Sequence, residues 1–290
     1  MSDSDKTDDG HFRAGVEVEI QDTAFWMAGC RASMEEVSQD IYAKTWLNDA
    51  SKERHRIYIE EMGVNENLIL CLRNRFFLES MRDFLKRFPD AALVNIGAGF
   101  SSYPWLIQDP ALCIEVDAPD IGAAKAALSK QFQQEGIFPQ REVIHMSANL
   151  NRVEDIEKIL SQVSLLLADR PSFFLIEGVI YYLEHDRARQ LLSGIRRVQG
   201  HCDQLGLVSW APAARQRPAY QCFESFIQTR LGEELADFIF HTTADIANLP
   251  GYKLVEHRDY VQLSERFRPA QPLVADDHFF WEDLYLLETV

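Results

Sequence analysis

Through the first 90 residues apolar side chains recur three and four positions apart, the spacing of a stripe buried along one face of a helix. In DTAFWMAGCRASMEEVSQDIYAKTWL this predicts a helix with Asp22 as its N-cap. In ENLILCLRNRFFLESMRDFLKRF it predicts a second helix that ends at Pro89, with Leu68, Leu72, Phe76 and Phe84 on its core face. From residue 91 the texture changes. Short apolar runs at 91–100, 111–120, 141–150, 172–183 and 206–212 each precede a turn and, in most cases, an amphipathic segment such as DIGAAKAALSKQFQQE or HDRARQLLSGIRRVQG. Near-continuous apolar strands alternating with helices predict a parallel sheet covered on both faces.

The tail reads differently. After a helical stretch at about 219–248 come KLVEHRDYVQLSERF and HFFWEDLYLLETV, two strand-like runs joined by a loop with no helix between them. Such a pair is most easily antiparallel and would close the sheet. The prediction is therefore an α/β chain with a mostly parallel seven-stranded sheet, a terminal antiparallel hairpin and a helical cap. The expected divisions are a disordered tail at 1–15, a cap at 16–90, and a catalytic domain at 91–290 with a helical lid at 212–250.

Composition narrows the partners. Forty-five acids against 29 bases leave a net charge of −16 over 290 residues. That balance disfavours nucleic acid and anionic membrane surfaces, whose affinity rests on neutralising phosphates. The five cysteines include no CxxC pair and no metal-ligand spacing, so the reading is reduced thiols, no metal and a cytoplasmic protein. The acidic N-terminus MSDSDKTDDG is unlike a secretory leader, and no apolar run is long enough to span a bilayer.

In an open parallel sheet the ligand sits beyond the carboxyl ends of the strands, so the last residues of each strand are the ones to read. Strand one ends in Gly97-Ala98-Gly99, where a backbone can approach a ligand; the third glycine of a dinucleotide fingerprint is replaced by Ser102. Strand two ends in Asp117, about 20 residues on, the spacing of a ribose-binding acid. Together they favour an adenosine-containing ligand without separating S-adenosylmethionine from NAD. Strand three ends in Ser147-Ala148-Asn149-Leu150, where Asn149 could meet adenine or join a capping box formed by Asn151 and Glu154; spacing favours the cap. Strand four ends in Glu177, a carboxylate that needs a partner at the edge of a buried strand.

The segments VNIGAGFSSYPWLI, EVDAPDIGAAK and FLIEGVIYYL resemble the leucine carboxyl methyltransferase family, and TAFWMAGCRASMEE and RNRFFLESMRDFL are also similar, closer to its branch of bacterial natural-product O-methyltransferases. The resemblance spans about residues 22–200 and implies a Rossmann-like class I methyltransferase fold with S-adenosylmethionine as cofactor. By that resemblance Gly97, Ala98 and Gly99 line the methionine part, Asp117 holds the ribose hydroxyls, and Asn149-Leu150 flank adenine. Glu177 lies by the cofactor and the substrate entrance and is the candidate catalytic residue. An arginine of RNRFF pairs with the cofactor carboxylate, Arg75 first and Arg73 in reserve, with Arg31 contributing. Tyr182 and Trp105 are the substrate-binding candidates, and Trp26, Trp46, Tyr220, Phe223 and Phe226 either line an apolar pocket or pack the cap.

The chain also departs from the family. After GAGF it has Ser101-Ser102-Tyr103 where the family has an acid, Thr or Ser, and arginine, and Asn149 stands where an Asp is usual. The expected function is O-methylation of a carboxylate or hydroxyl on a small molecule, a protein carboxylate being a lesser possibility. A carboxylate acceptor is already ionised and needs no base; for a hydroxyl, His145, His185 and Glu177 are the candidates. Two alternatives stay open: an NAD-dependent oxidoreductase, which would share Gly97, Gly99 and Asp117, and a silent binding protein that keeps the fold.

Overall fold

The computed structural model describes residues 20–108, 110, 112–231, 238–275 and 278–290, so the tail expected at 1–15 lies outside the described residues. Four helices precede the first strand: α1 (Ile20–Ser33), α2 (Glu35–Ser38), α3 (Asp49–Met62) and α4 (Asn65–Arg87). The helical register runs upstream of Asp22, which lies inside α1 and does not cap it. In α4, Leu68, Leu72, Phe76 and Phe84 are all buried. The helix packs so tightly on the sheet that a Cβ at Gly206 would lie 2.9 Å from the Phe77 ring.

Strands and helices then alternate: β1 (Ala92–Ile96), α5 (Tyr103–Leu106), β2 (Leu112–Asp117), α6 (Pro119–Gln134), β3 (Ile144–Ser147), α7 (Val153–Leu167), β4 (Ser172–Ile176), α8 (His185–Val198) and β5 (Gln204–Ser209). The chain closes with α9 (Pro218–Leu231), α10 (Thr243–Ala247), β6 (Tyr252–Arg258), α11 (Tyr260–Phe267) and β7 (Asp283–Thr289). The seven strands lie in the order β3-β2-β1-β4-β5-β7-β6, with β1 to β5 parallel and β7 antiparallel to both of its neighbours. Every residue of β1, β4 and β5 is buried, as covering on both faces demands.

Two local expectations fail for identifiable reasons. The segment YVQLSERF is a helix, not strand, so β6 and β7 are not joined by a loop alone. Asp259 and Gln262 close a capping box that starts α11, and Tyr260, Leu263 and Ser264 are buried at helical spacing. The capping box expected at Asn151 and Glu154 is absent. Arg152 is the N-cap of α7, while the Asn151 side chain accepts instead from the Glu184 amide at 3.2 Å. All five cysteines are free thiols. Among the described residues no helix is long and apolar enough to cross a membrane.

Candidate functional site

The strand order reverses between β1 and β4: the chain runs outward through β2 and β3, then returns to pair β4 on the other side of β1. A crevice at the carboxyl ends of these strands is the geometric consequence. It holds a cavity of about 450 Å³, the size of a small-molecule site. One wall is made of strand ends: Gly97, Gly99, Asp117, Asn149, Leu150 and Glu177. The other is made of helices, with Trp26, Met27 and Arg31 from α1, Tyr58 from α3, Arg73 from α4 and Phe223 from α9.

The strand-end wall is shaped by backbone. Gly97 (φ +72°) and Gly99 (φ +44°) adopt left-handed conformations. A Cβ on Gly97 would lie 2.0 Å from the Val179 Cγ2 atom, so no larger residue fits. The Gly99 amide donates to Asp117 Oδ2 at 2.6 Å and the Ala118 amide to Oδ1 at 2.7 Å, which fixes the carboxylate at the cavity wall. Burial pushes the Asp117 carboxyl up from its ordinary range, against the pull of those two amides. Asn149 and Leu150 follow on the same wall. Asn149 Oδ1 accepts from the Asn151 amide at 3.0 Å, which leaves the side-chain NH₂ as the group to offer a ligand.

Beneath the glycine turn, Asn95 of β1 is 1% exposed. Its Nδ2 donates to Ser101 Oγ at 3.0 Å, while its Oδ1 has no hydrogen-bond partner among the described residues. Lys125 donates to Glu115 Oε1 at 2.7 Å in the same layer, an ion pair buried on both sides.

At the end of β4, Glu177 has the partners a buried carboxylate requires. Arg73 Nε donates to Oε1 at 2.8 Å and the Tyr103 hydroxyl to Oε2 at 2.6 Å. The candidate catalytic carboxylate is thus held at both oxygens by protein donors, a structural pairing and not a group left open for a ligand. Arg73 Nη1 also donates to Glu282 Oε2 at 2.8 Å, and Glu282 accepts further from Tyr181 at 2.7 Å, Trp210 at 3.3 Å and Tyr260. Burial alone would raise the Glu282 carboxyl, but Arg73 and these donors hold it below its ordinary value. One guanidinium on the cavity wall thus holds two acids. Arg31 is equally buried, donating from Nε to Asp40 at 3.1 Å and from Nη2 to the Phe100 carbonyl at 2.8 Å, so a solvated helix face does not describe it.

Several expected residues are elsewhere. Arg75 does not reach the cavity: it pairs with Glu79 at 2.6 Å and lies over the Phe267 ring. Two residues along a helix are a rotation of about 200°. Arg73 shares the buried face with Ile69, Phe77 and Phe84, whereas Arg75, Glu79, Arg82 and Lys86 form a polar stripe. That stripe was the available signal. Trp105 and Trp46 pack with Phe132 and Phe138 in a separate apolar cluster and line no acceptor pocket. Phe226 packs edge-on against Trp26 and Tyr58 behind the cavity wall, and Tyr220 packs on Trp210. Tyr182 does line the cavity. His145 faces Glu115 at 3.4 Å with its imidazole pushed down to about 4 by burial and by Lys125, and His185 is an exposed first residue of α8. Neither lines the cavity. Tyr58 and Asn95 carried no sequence signal beyond being a lone aromatic and a lone amide.

A leucine carboxyl methyltransferase family model matches residues 21–196. None of the curated proteins matches the chain. Among solved structures, a candidate methyltransferase of Thermobifida fusca YX superposes with a TM-score of 0.60 at 15% identity, covering 88% of this chain and 94% of that one. A DUF574 family protein of Streptomyces avermitilis gives a TM-score of 0.59 at 11% identity, covering 90% and 97%. Both likenesses are of fold.

Proposed function

The chain belongs to the leucine carboxyl methyltransferase family, whose cofactor is S-adenosylmethionine, and we propose that it transfers the methyl group to a carboxylate or hydroxyl oxygen of a small, natural-product-like molecule in the cytoplasm. The carrying observation is a single cavity with two kinds of wall: backbone turns and a fixed carboxylate on one side, aromatic rings and a paired arginine on the other.

The residues fit the cofactor. Gly97-Ala98-Gly99 give a wall without side chains for the methionine part. Asp117, held by two amides, keeps lone pairs for the ribose hydroxyls, and Asn149 and Leu150 border adenine. For the cofactor carboxylate the reading moves from Arg75 to Arg73, whose Nη2 meets only the Met27 sulfur, at 3.6 Å, among the described residues, with Arg31 nearby on the wall. Asn95 Oδ1 is a buried acceptor in want of a donor such as an ammonium group.

The cofactor supplies a methyl group on a positively charged sulfur. This chain's residues then have two tasks, to aim the acceptor oxygen and to exclude water. Trp26, Met27, Tyr58 and Phe223 make the acceptor side apolar, in keeping with residues 16–90 acting as a cap and 212–250 as a lid over a catalytic domain at 91–290. Glu177, neutralised by Arg73 and Tyr103, acts by fixing Arg73 and shaping the entrance rather than by removing a proton. The net charge of −16 favours a small acceptor over nucleic acid, with a protein carboxylate a lesser candidate.

Calorimetric titration with S-adenosylmethionine, S-adenosylhomocysteine and NADH tests the cofactor, and radiolabelled S-adenosylmethionine with matched carboxylic acids and phenols tests the acceptor. Binding of S-adenosylhomocysteine but not NADH, with label passing to a member of the panel, is expected. No affinity for S-adenosylhomocysteine would sink the proposal.

A further inference from the structure

Tyr58 lines the cavity from α3, and its hydroxyl donates to Oε2 of Glu66 at 3.1 Å. Glu66, in the first turn of α4, is 1% exposed and accepts at Oε1 from the Phe280 amide at 2.7 Å. These two neutral donors are its only hydrogen-bond partners among the described residues, an expensive position for a carboxyl group. Trp26 stacks on Tyr58 at 5.2 Å with the rings 8° from parallel. Trp26 is 4% exposed, and its indole N–H has no acceptor among the described residues. The stack therefore joins a ring whose N–H has no acceptor among the described residues to a ring whose hydroxyl is backed by a carboxyl.

We propose that Tyr58, backed by Glu66, takes the proton of a hydroxyl acceptor whose oxygen is held by the Trp26 N–H, which makes the substrate a planar apolar molecule with a free hydroxyl group. This rests on the methyl-transfer reading above and names its acceptor. In the step, the acceptor O–H bond breaks and its proton passes to Tyr58 Oη as the Tyr58 proton passes to the Glu66 carboxylate. The acceptor oxygen's electron pair forms the bond to the methyl carbon, and the carbon–sulfur pair stays on the donor's sulfur, discharging it. Tyr58 is the catalytic residue here. Glu66 acts through it as a positioning residue and final proton holder.

The surroundings fit a neutral hydroxyl better than a carboxylate. Glu177 and Glu282 are paired with Arg73, the cation also assigned to the cofactor carboxylate, and Glu66 has only neutral hydrogen-bond partners among the described residues, so an acceptor carboxylate brought to this wall would add like charge. Facing Glu66 are Cys30 of α1, Tyr58 of α3, Arg73 of its own helix, Tyr260 of α11 and Glu282 before β7; Tyr182 faces Tyr58. Burial pushes Cys30, Tyr58 and Tyr260 well above their ordinary values, and Glu282 is held low, so none of these changes charge near neutrality. Burial pushes Glu66 up to about 8. The pair can accept a proton only as the pH rises through that value.

The test uses 2-naphthol as probe acceptor, with 2-naphthoate as its carboxylate counterpart, on the full chain and on Glu66→Gln and Tyr58→Phe. S-adenosylhomocysteine affinity is measured first, without acceptor. It should agree within about twofold among the three proteins, and its absence in the parent would overturn the methyl-transfer reading itself. With S-adenosylhomocysteine bound, 2-naphthol should bind all three proteins, and Trp26→Phe at least about threefold more weakly. With S-adenosylmethionine, parent kcat should rise about tenfold per pH unit from pH 6 and level off near 8. Both substitutions should remove that limb and lower kcat at least about tenfold at pH 9, with KM changed less than about threefold. A purely structural role would instead change KM or S-adenosylhomocysteine affinity and leave the limb in place. An unchanged limb in Glu66→Gln, failure of 2-naphthol to bind a protein that holds S-adenosylhomocysteine, or preferential methylation of 2-naphthoate would each overturn the proposal.

Discussion

The two walls of the cavity are built by opposite means. The strand-end wall is local: Gly97, Gly99 and Asp117 are placed by the strands they terminate, and the key contacts are backbone amides to one carboxylate. The helical wall is assembled from afar. Arg73 meets Glu177 across 104 residues and Glu282 across 209, and Tyr58 stacks on Trp26 of another helix. A wall of the first kind should tolerate change in its surroundings and fail only at its own residues. A wall of the second kind should couple binding to the stability of the whole cap.

The largest expected effect falls on the assembled wall. Arg73→Ala would leave Glu177 and Glu282 buried without their cation, and breaking a buried pair in this way costs about 3–5 kcal/mol. Denaturant unfolding should show that loss together with loss of S-adenosylhomocysteine binding. Arg73→Lys should not restore the parent values, because one ammonium cannot reproduce the fork that bridges two acids. A loss below about 1 kcal/mol would mean that the tyrosines alone hold Glu282.

Stability should also depend on pH through this wall. Glu66 has its carboxyl raised to about 8, against about 4.3 in an unfolded chain. Between those values the folded protein holds a proton that the unfolded chain has released, so stability falls as pH rises and levels off above about 8. Near the middle of that window the slope approaches about 1.4 kcal/mol per pH unit. Unfolding of the parent and of Glu66→Gln at several pH values isolates it, since the variant lacks the group. Parallel curves would show that Glu66 is ionised in the fold.

On the strand-end wall the effect should be confined to binding. Asp117→Ala removes acceptors for the ribose hydroxyls and should weaken S-adenosylhomocysteine by about 1–3 kcal/mol, read by calorimetry. Its cost in stability should be smaller than that of Arg73→Ala, because the Gly99 and Ala118 amides it strands lie at the cavity edge, where water can reach them. An unfolding effect as large as that of Arg73→Ala would erase the distinction between the walls.

The same distinction explains what could be read from the chain. Strand ends are marked by period and punctuation, so Gly97, Gly99, Asp117 and Glu177 could be picked out from position in a βα unit, whereas spacing favoured a cap at Asn149 and only the resemblance pointed to adenine. The mostly parallel seven-stranded sheet followed from the alternation of apolar runs and helices and from the two strand-like runs of the tail. The terminal pair hid a helix, because Tyr260, Val261, Leu263 and Phe267 satisfy an apolar reading at either period, and only the Asp259–Gln262 capping pair discriminates. Partners across the fold left no local trace. Nothing in FLIEGVIYYL says that Glu177 meets Arg73 and Tyr103, and nothing in RHRIYIEEM says that Tyr58 meets Glu66. Trp105 read as a pocket residue because an aromatic near a glycine turn suits a pocket and a core equally well; the second apolar cluster claimed it.

Arg75 gives the smallest expected effect and the sharpest control. It stands two residues from Arg73 in the same helix, with the same charge, yet on the polar stripe. Its loss removes an ion pair to Glu79 between side chains 20–25% exposed and a cation–π contact to Phe267, about 0.5–1 kcal/mol together. Glu79 is not stranded, because Arg266 also reaches it at 3.0 Å. Arg75→Ala should therefore unfold close to the parent and bind S-adenosylhomocysteine with unchanged affinity, measured beside Arg73→Ala. A drop in affinity at Arg75 comparable to that at Arg73 would mean that helix charge in general, and not one buried guanidinium, draws the cofactor carboxylate to this wall.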